Sequence, residues 1–400
     1  MLDPLYKGRV WGMAVMVLGL SAPLSAATLK DVLDHAWSNQ TESARFAQYD
    51  AQLAASQAWL PEPPTLSLSG RSDRIDANNG AREWETEISL PLWLPGQRDR
   101  AQAVARSERD AGRQRFVFER WQLAGELREA WWEARFAQAE HNEAERKLKD
   151  AQLLEADVLR RVNAGDLAPL DLNQARANLA AAKIEAVRAQ TAVTRTHQQF
   201  NAVSKGAPLP DQPETRVENE ADRLNQHPAL INLAAVATAA QARLRQVNGD
   251  TRNAPELALS LTRERSSLNE SYQNLAKITL KIPFGSESRN QPRITAANAD
   301  LIEAQVLAEQ TRRKLDATIA VSELELDQAQ NTLLLRQEQL QLAEQSLAWV
   351  DKAFRAGQLD LPARLKAEAE LANARLSLAR AQLESARAIS RYNQAVGVLP

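Results

Sequence analysis

The chain has 400 residues, with 49 Lys and Arg against 51 Asp and Glu, a formal net charge of −2 and no cysteine. That balance excludes a strongly basic nucleic-acid surface, and the missing thiols exclude disulfides, thiolate metal sites and Cys nucleophiles. Only 14 Gly and 5% aromatic residues occur; with long stretches of Ala, Leu, Gln, Arg and Glu, this composition points to extended helices.

Residues 1–27 read as a secretory signal that is removed. Lys7 and Arg9 precede an apolar run from Val10 to Leu20, and Ser25-Ala26-Ala27 supplies small residues for cleavage. Cleavage there removes Asp3, Lys7 and Arg9, one acid and two bases, leaving a mature charge of −3. An acyl anchor on an N-terminal Cys is not expected. No later stretch is apolar enough for a spanning helix, so membrane passage would have to use strands.

A first structural repeat covers 28–219. Leu29 to about Trp59 reads as helix, stopped by Pro61, Pro63 and Pro64. Alternating runs at about 65–74 and 82–93 predict two strands around the turn Asp76-Ala77-Asn78-Asn79-Gly80. From Gln97 a helix runs to about Asn163, turns near 165, and returns to about Val203. A second repeat, 220–400, has a helix from about Pro228, strands at about 256–265 and 272–284, and a helical hairpin turning near 357. Three matched segments support a duplication. Pro64–Leu68 matches Pro255–Leu259, Ile88–Leu90 matches Ile278–Leu280, and Asn163–Leu167 matches Arg355–Leu359, at shifts of 191, 190 and 192.

Each strand is two-faced. Trp84, Thr86, Ile88, Leu90 and Leu92 share one side of their strand, while Glu83, Glu85 and Glu87 share the other. Tyr272, Ala276, Ile278, Leu280 and Ile282 alternate with Lys277, Thr279 and Lys281. A side bearing Glu and Lys needs water, so Glu83, Glu85, Glu87, Lys277 and Lys281 are candidates to face a lumen. Four strands cannot close a barrel, and lipid does not tolerate an open edge, so spanning strands imply oligomerisation. Three copies supply twelve strands. The long helices carry heptad seams, Leu315 to Phe354 and, 192 residues earlier, Leu123 to Val162, with ten of twelve positions apolar in each.

The proline-then-strand entries at Pro64-Thr65-Leu66 and Pro255-Glu256-Leu257, the exit Leu90-Pro91-Leu92-Trp93-Leu94-Pro95-Gly96, the turn Val162-Asn163-Ala164-Gly165 through Asp171-Leu172, and the opening His227-Pro228-Ala229-Leu230 together resemble the TolC-like outer-membrane efflux family. The second turn keeps Phe354-Arg355-Ala356-Gly357 but carries Ala363 where the first has Asp171. The Leu-Pro-Leu-Trp-Leu-Pro-Gly-Gln-Arg exit is similar to the heavy-metal efflux branch. This resemblance implies a mainly α fold with a membrane β-barrel part: a homotrimer forming a 12-stranded β-barrel and a periplasmic α-helical tunnel. It also implies a Gram-negative outer-membrane location and two partners, a periplasmic adaptor and an inner-membrane transporter of RND type. Drugs, dyes or polypeptides stand beside metal ions as possible cargo.

The turns at Gly165 and Gly357 would then lie at the pump-facing tip. Asp166, Asp171 and Asp360 are candidates for acidic rings there, with Arg160, Arg161 and Arg355 as closing partners. The alternative for each is an ordinary solvated turn or helix cap. No triad, carboxylate pair, nucleotide loop or cofactor motif can be placed, and the four histidines lack metal-ligand spacing. An enzyme is therefore not expected, nor a cofactor. The alternative is a periplasmic coiled-coil adaptor or scaffold protein without a pore. An adaptor would show one hairpin flanked by β-rich domains, where this chain has two hairpins in a duplication. A soluble antiparallel coiled coil would explain the seams but neither the signal nor the alternating strands.

Overall fold

The computed structural model describes residues 27–76, 78–218, 224–284 and 287–400. The expected signal segment, position 77 of the first hairpin turn and the repeat boundary near 219–220 lie outside them or at their margin. Eleven elements follow in chain order among the described residues: α1 Leu29–Ala36, α2 Asn39–Ser56, β1 Thr65–Ser72, β2 Arg82–Pro91, α3 Gln97–Ala164, α4 Pro169–Ser204, α5 Pro228–Gly249, β3 Glu256–Arg265, β4 Gln273–Lys281, α6 Glu287–Arg355 and α7 Leu361–Ala395.

Two helices set the length of the molecule. α3 has 68 residues and α6 has 69, each about 100 Å at 1.5 Å per residue. Neither can bury one face along that length alone, so shorter helices lie along them in tandem. α3 packs on α4 towards the tip and on α5 towards the sheet; α6 packs on α7 and on α5 in the same way. All twelve seam positions of α6 from Leu315 to Phe354 are buried or half-buried, and so are the twelve of α3 from Leu123 to Val162. Many are Ala: Ala137, Ala144 and Ala151 of α3, like Ala175, Ala182 and Ala186 of α4, are buried small residues of the first hairpin. Small side chains let the backbones approach closely, which a seam of 3.5-residue period requires over many turns.

The largest apolar cluster lies at the middle of α3, where Leu127, Trp131 and Trp132 meet Phe200 and the underside of α1. Here the expected single helix over 29–59 is two. Thr28 and Asp31 form a reciprocal capping box at the start of α1. The chain then breaks at Trp37 and Ser38, so that Leu29, Val32, Leu33 and Ala36 turn into the cluster. Burying four apolar side chains outweighs the broken helix turn. The segment after α4 closes the same region. Trp131 Nε1 donates to Pro210 O at 2.7 Å, and the buried Arg128 holds Glu214 through two bonds of 2.8 Å.

The strands form one antiparallel sheet in the order β1-β2-β3-β4. The central β2–β3 pair joins the two sequence halves, from Arg82 opposite Arg265 to Pro91 opposite Glu256. β1 stops at Ser72, two residues before the expected 74, because the Asp73 carboxylate folds the turn inward. It accepts from Gly80 N at 3.0 Å and pairs with Arg82 at 2.5 Å. β2 and β4 also end earlier than the expected 93 and 284. Pro91 and Pro283 supply no N–H to continue a ladder, although Leu92 N still reaches Pro255 O at 2.7 Å.

Candidate functional site: the sheet and the helical tip

The register sorts the sheet into cross-strand rows. On one side run Leu66–Ile88–Leu259–Ile278, then Leu68–Thr86–Leu261–Ala276, with Leu90–Leu257–Leu280 on the helix side of them. Among the described residues the outer rows are uncovered, with Leu68 73% exposed and Ile278 74% exposed, while Leu90 and Leu257 nearer the helices are half-buried. Rows two residues apart stand about 7 Å from each other, so with Leu92 and Ile282 below, the band is about 20 Å tall, near the height of a lipid-facing barrel band.

Aromatic residues border the band at both ends. Trp84 and Tyr272 stand at the end away from the helices, and the exposed Trp59 and Phe284 at the helix end. Trp84 lies across β1, where a Cβ on Gly70 would meet its ring at 3.0 Å. Apolar–polar rings of this kind favour a bilayer boundary. Aromatics at strand ends are the sequence signal of such a border, one that alternation along a single strand does not reveal.

The opposite side is polar. It carries Ser67–Glu87–Ser260–Lys277, Ser69–Glu85–Thr262–Leu275 and Arg71–Glu83–Glu264–Gln273. Glu83, Glu85 and Glu87 therefore share one side with Lys277, two strands away. Lys281 pairs with Glu256 at 3.7 Å. Among the described residues both outer strands, β1 and β4, leave one edge without a neighbour.

About 100 Å away by helix length, the two hairpins turn. Gly165 and Gly357 adopt left-handed backbone, with φ of 83° and 71°, which lets the chain close each helix end: Asp166 N donates to Arg161 O and Gln358 N to Ala353 O, both at 2.9 Å. The acids then divide one capping task. In the first turn Asp171, at the third helical position, accepts from Ala168 N at 3.1 Å. In the second turn Asp360, equivalent to Ala168, accepts from Ala363 N at 3.1 Å. Where Ala363 replaces the acid at one end of the cap, Asp360 supplies it at the other. Asp166 is exposed in its turn.

The tip arginines find partners other than those three acids. Arg160 and Arg161 reach Asp157 at 3.0 and 3.3 Å, and Arg355 reaches Asp351 at 2.7 Å. These are i,i+3 and i,i+4 pairs with the acid on the N-terminal side, the favoured order on a helix. That spacing was legible in the sequence, but Asp157 and Asp351 were not singled out. The hairpins are fastened by Phe354, which is buried with Leu154, Val158, Ala175 and Leu361. Arg161 and Arg364 stack over its ring at 5.2 and 5.1 Å. Arg364 also binds Asp351 at 3.4 Å and Glu368 at 3.2 Å. Burial outweighs that cation and pushes the Glu368 carboxyl above the usual Glu range.

No family model matches the chain. It is 25% identical over 312 residues to the cobalt-zinc-cadmium resistance protein CzcC of Cupriavidus metallidurans, covering 75% of this chain and 74% of that one. Among solved structures, CusC superimposes with a TM-score of 0.77 at 18% identity, over 92% of each chain, in work on its folding and transmembrane channel formation. The outer membrane protein VceC of Vibrio cholerae matches with a TM-score of 0.76 at 16% identity, over 92% of this chain and 96% of its own. The MtrE outer membrane channel of Neisseria gonorrhoeae, in its open state, matches at 0.72 and 15%, over 92% and 89%. At these identities the structural likeness establishes the fold.

Proposed function

We propose that the chain is a member of the TolC-like outer-membrane efflux family, supported by its likeness in fold to CusC and VceC and in sequence to CzcC, and that it is the outer-membrane channel of a tripartite efflux system, conducting passively what an inner-membrane pump and a periplasmic adaptor deliver. The observation that carries this reading is the sheet: an apolar side about 20 Å tall, a polar side bearing Glu83, Glu85, Glu87 and Glu264, and two edges unpaired among the described residues. Lipid leaves an unpaired backbone unsatisfied at a cost of several kcal/mol per group. Edge β4 of one copy meeting β1 of the next removes both edges, and three copies close twelve strands. The polar side then lines a lumen in which Glu83, Glu85, Glu87 and Lys277 meet the cargo, and the helices continue the duct through the periplasm.

Gating is assigned to the tip. The hairpins turning at Gly165 and Gly357 repack between two arrangements, with Asp166, Asp171 and Asp360 brought into rings by the threefold axis. In the single chain Arg160, Arg161 and Arg355 are held by Asp157 and Asp351, so closure by arginine needs either an exchange of partners or contacts from a sister copy. Divalent metal ions are the proposed cargo, supported by the likeness to the cobalt-zinc-cadmium resistance protein CzcC, and an RND-type transporter is the pump that the family resemblance implies.

The test is to fractionate expressing cells and to reconstitute the purified protein. A heat-sensitive trimer in the outer membrane, forming conducting pores in planar bilayers, is expected. Recovery as a soluble monomer without conductance overturns the channel. Deletion should sensitise the host to divalent cobalt, zinc or cadmium; sensitivity to hydrophobic drugs alone reassigns the cargo.

A further inference from the structure

Above the apolar band the lipid-facing side changes character. The next row is Gly70–Trp84–Arg263–Asn274, and beyond it Arg82 stands opposite Arg265. Arg263 and Arg265 continue the series Leu257, Leu259, Leu261 along β3, so both belong to the side that faces lipid and neither to the polar side. Their guanidinium groups lie 4.9 and 5.0 Å from the centre of the Tyr272 ring. A stacked guanidinium keeps its N–H fork free at the rim, and Arg263 is exposed.

The neighbouring charges leave this pair uncompensated. Among the described residues neither arginine forms an ion pair; Arg265 donates only Nε, to Gly80 O at 3.0 Å. Asp73 is committed to Arg82 and Gly80 N. Glu270 accepts from Ser266 N at 3.3 Å, and Glu264 belongs to the opposite side of β3. Two fixed cations thus stand directly above an apolar band, between an aromatic residue of that band's border and the outer turns. Apolar surface below and paired cations above match one ligand: an amphiphile whose acyl chains run along Leu261 and Leu259 and whose headgroup bears a phosphate.

We propose that Arg263 and Arg265, stacked on Tyr272, form a binding site for the phosphate of an outer-leaflet lipid headgroup. This rests on the channel reading above, which places the turns at 73–81 and 266–272 on the outer side of the membrane. Bidentate Arg–phosphate bonds hold the lipid against β3, and the lipid in turn fixes the height of the barrel in the bilayer.

The experiment uses the purified trimer in dodecyl maltoside micelles, titrated with diphosphoryl lipid A or with its dephosphorylated form. Bound lipid is counted by native mass spectrometry and trimer content checked by gel mobility without heating. The wild type should bind the phosphorylated lipid in preference. Arg263→Gln with Arg265→Gln should weaken that binding roughly ten- to thirtyfold, from two cations near a membrane surface, and leave the dephosphorylated lipid unchanged. Arg71→Gln, a charge lost from the polar side, should change neither, and a double Lys variant should retain part of the preference. Equal binding of both lipids by the wild type, or an unaltered preference in the double Gln variant, overturns the site. Displacement of the lipid by millimolar inorganic phosphate overturns the lipid assignment in favour of a free anion. A trimer that conducts without lipid discrimination removes this inference alone, whereas absence of a trimer in the wild type removes the channel reading first.

Discussion

His227 shows how one side chain ties the two halves together. It is the N-cap of α5, with Nδ1 accepting from Ala229 N at 3.1 Å, and its ring meets the edge of Trp121 at 4.8 Å. The residue is fully buried, and Nε2 has no hydrogen-bond partner among the described residues. Burial disfavours the imidazolium and lowers the pKa from 6.5 to about 4. The folded state therefore requires the neutral ring. The stability this contributes is complete above pH 6.5 and is lost as pH falls towards 4, because the unfolded chain takes up a proton that the folded chain refuses. The loss is on the order of 3 kcal/mol once pH is below both values. His227→Asn keeps an N-cap acceptor without the titration. Thermal unfolding at pH 7.5 and pH 5 should show a smaller acid destabilisation in the variant than in the wild type; equal shifts would place the acid sensitivity elsewhere.

At the scale of elements, the tip hairpins reach one geometry by two chemistries. Asp171 caps α4 from inside the helix and Asp360 caps α7 from its N-cap position. Asp360→Ala removes the acceptor for Ala363 N and should cost about 1 kcal/mol, read as a lower denaturant midpoint. Adding Ala363→Asp to that variant installs the arrangement of the first turn and should recover most of the loss. Failure to recover would mean that Asp360 acts through something other than the cap, such as a contact between sister copies. Channel conductance recorded on the same pair separates the two: a cap alone changes stability, whereas an acidic ring changes ion preference.

For the whole molecule, length and faces have to agree. Two helices of about 100 Å have only shorter helices beside them within the chain. Apolar positions such as Leu324, Leu334, Leu335 and Trp349 of α6 stay exposed. The sheet repeats the pattern with two open edges. Both features ask for the same remedy, more copies around one axis. Ile278→Arg puts a cation in the middle of the apolar band, where about 2–4 kcal/mol is lost per residue at mid-membrane, once in each copy. Outer-membrane trimer should fall sharply, while Lys277→Arg, one residue along on the polar side, should leave it intact. Equal trimer yield from both would mean that the side bearing Ile278 does not meet lipid.

Local pattern determined much of this protein. Heptad spacing located both seams from Leu123 and Leu315, period-two alternation separated Glu83, Glu85 and Glu87 from Trp84 and Ile88, and glycines after long helices marked the turns at 165 and 357. Those features depend on neighbours a few residues away, and so they are written in order along the chain. Tertiary structure alone decided the rest: the break at Trp37 and Ser38 that turns α1 into the core, the clamp of Arg161 and Arg364 on Phe354, and the meeting of Arg263, Arg265 and Tyr272 above the band. Two of these join segments distant in sequence, α1 with α3 and Arg161 with Phe354, while the Tyr272 stack depends on the register of its hairpin. Only packing and register bring such groups within a few ångströms and select among them.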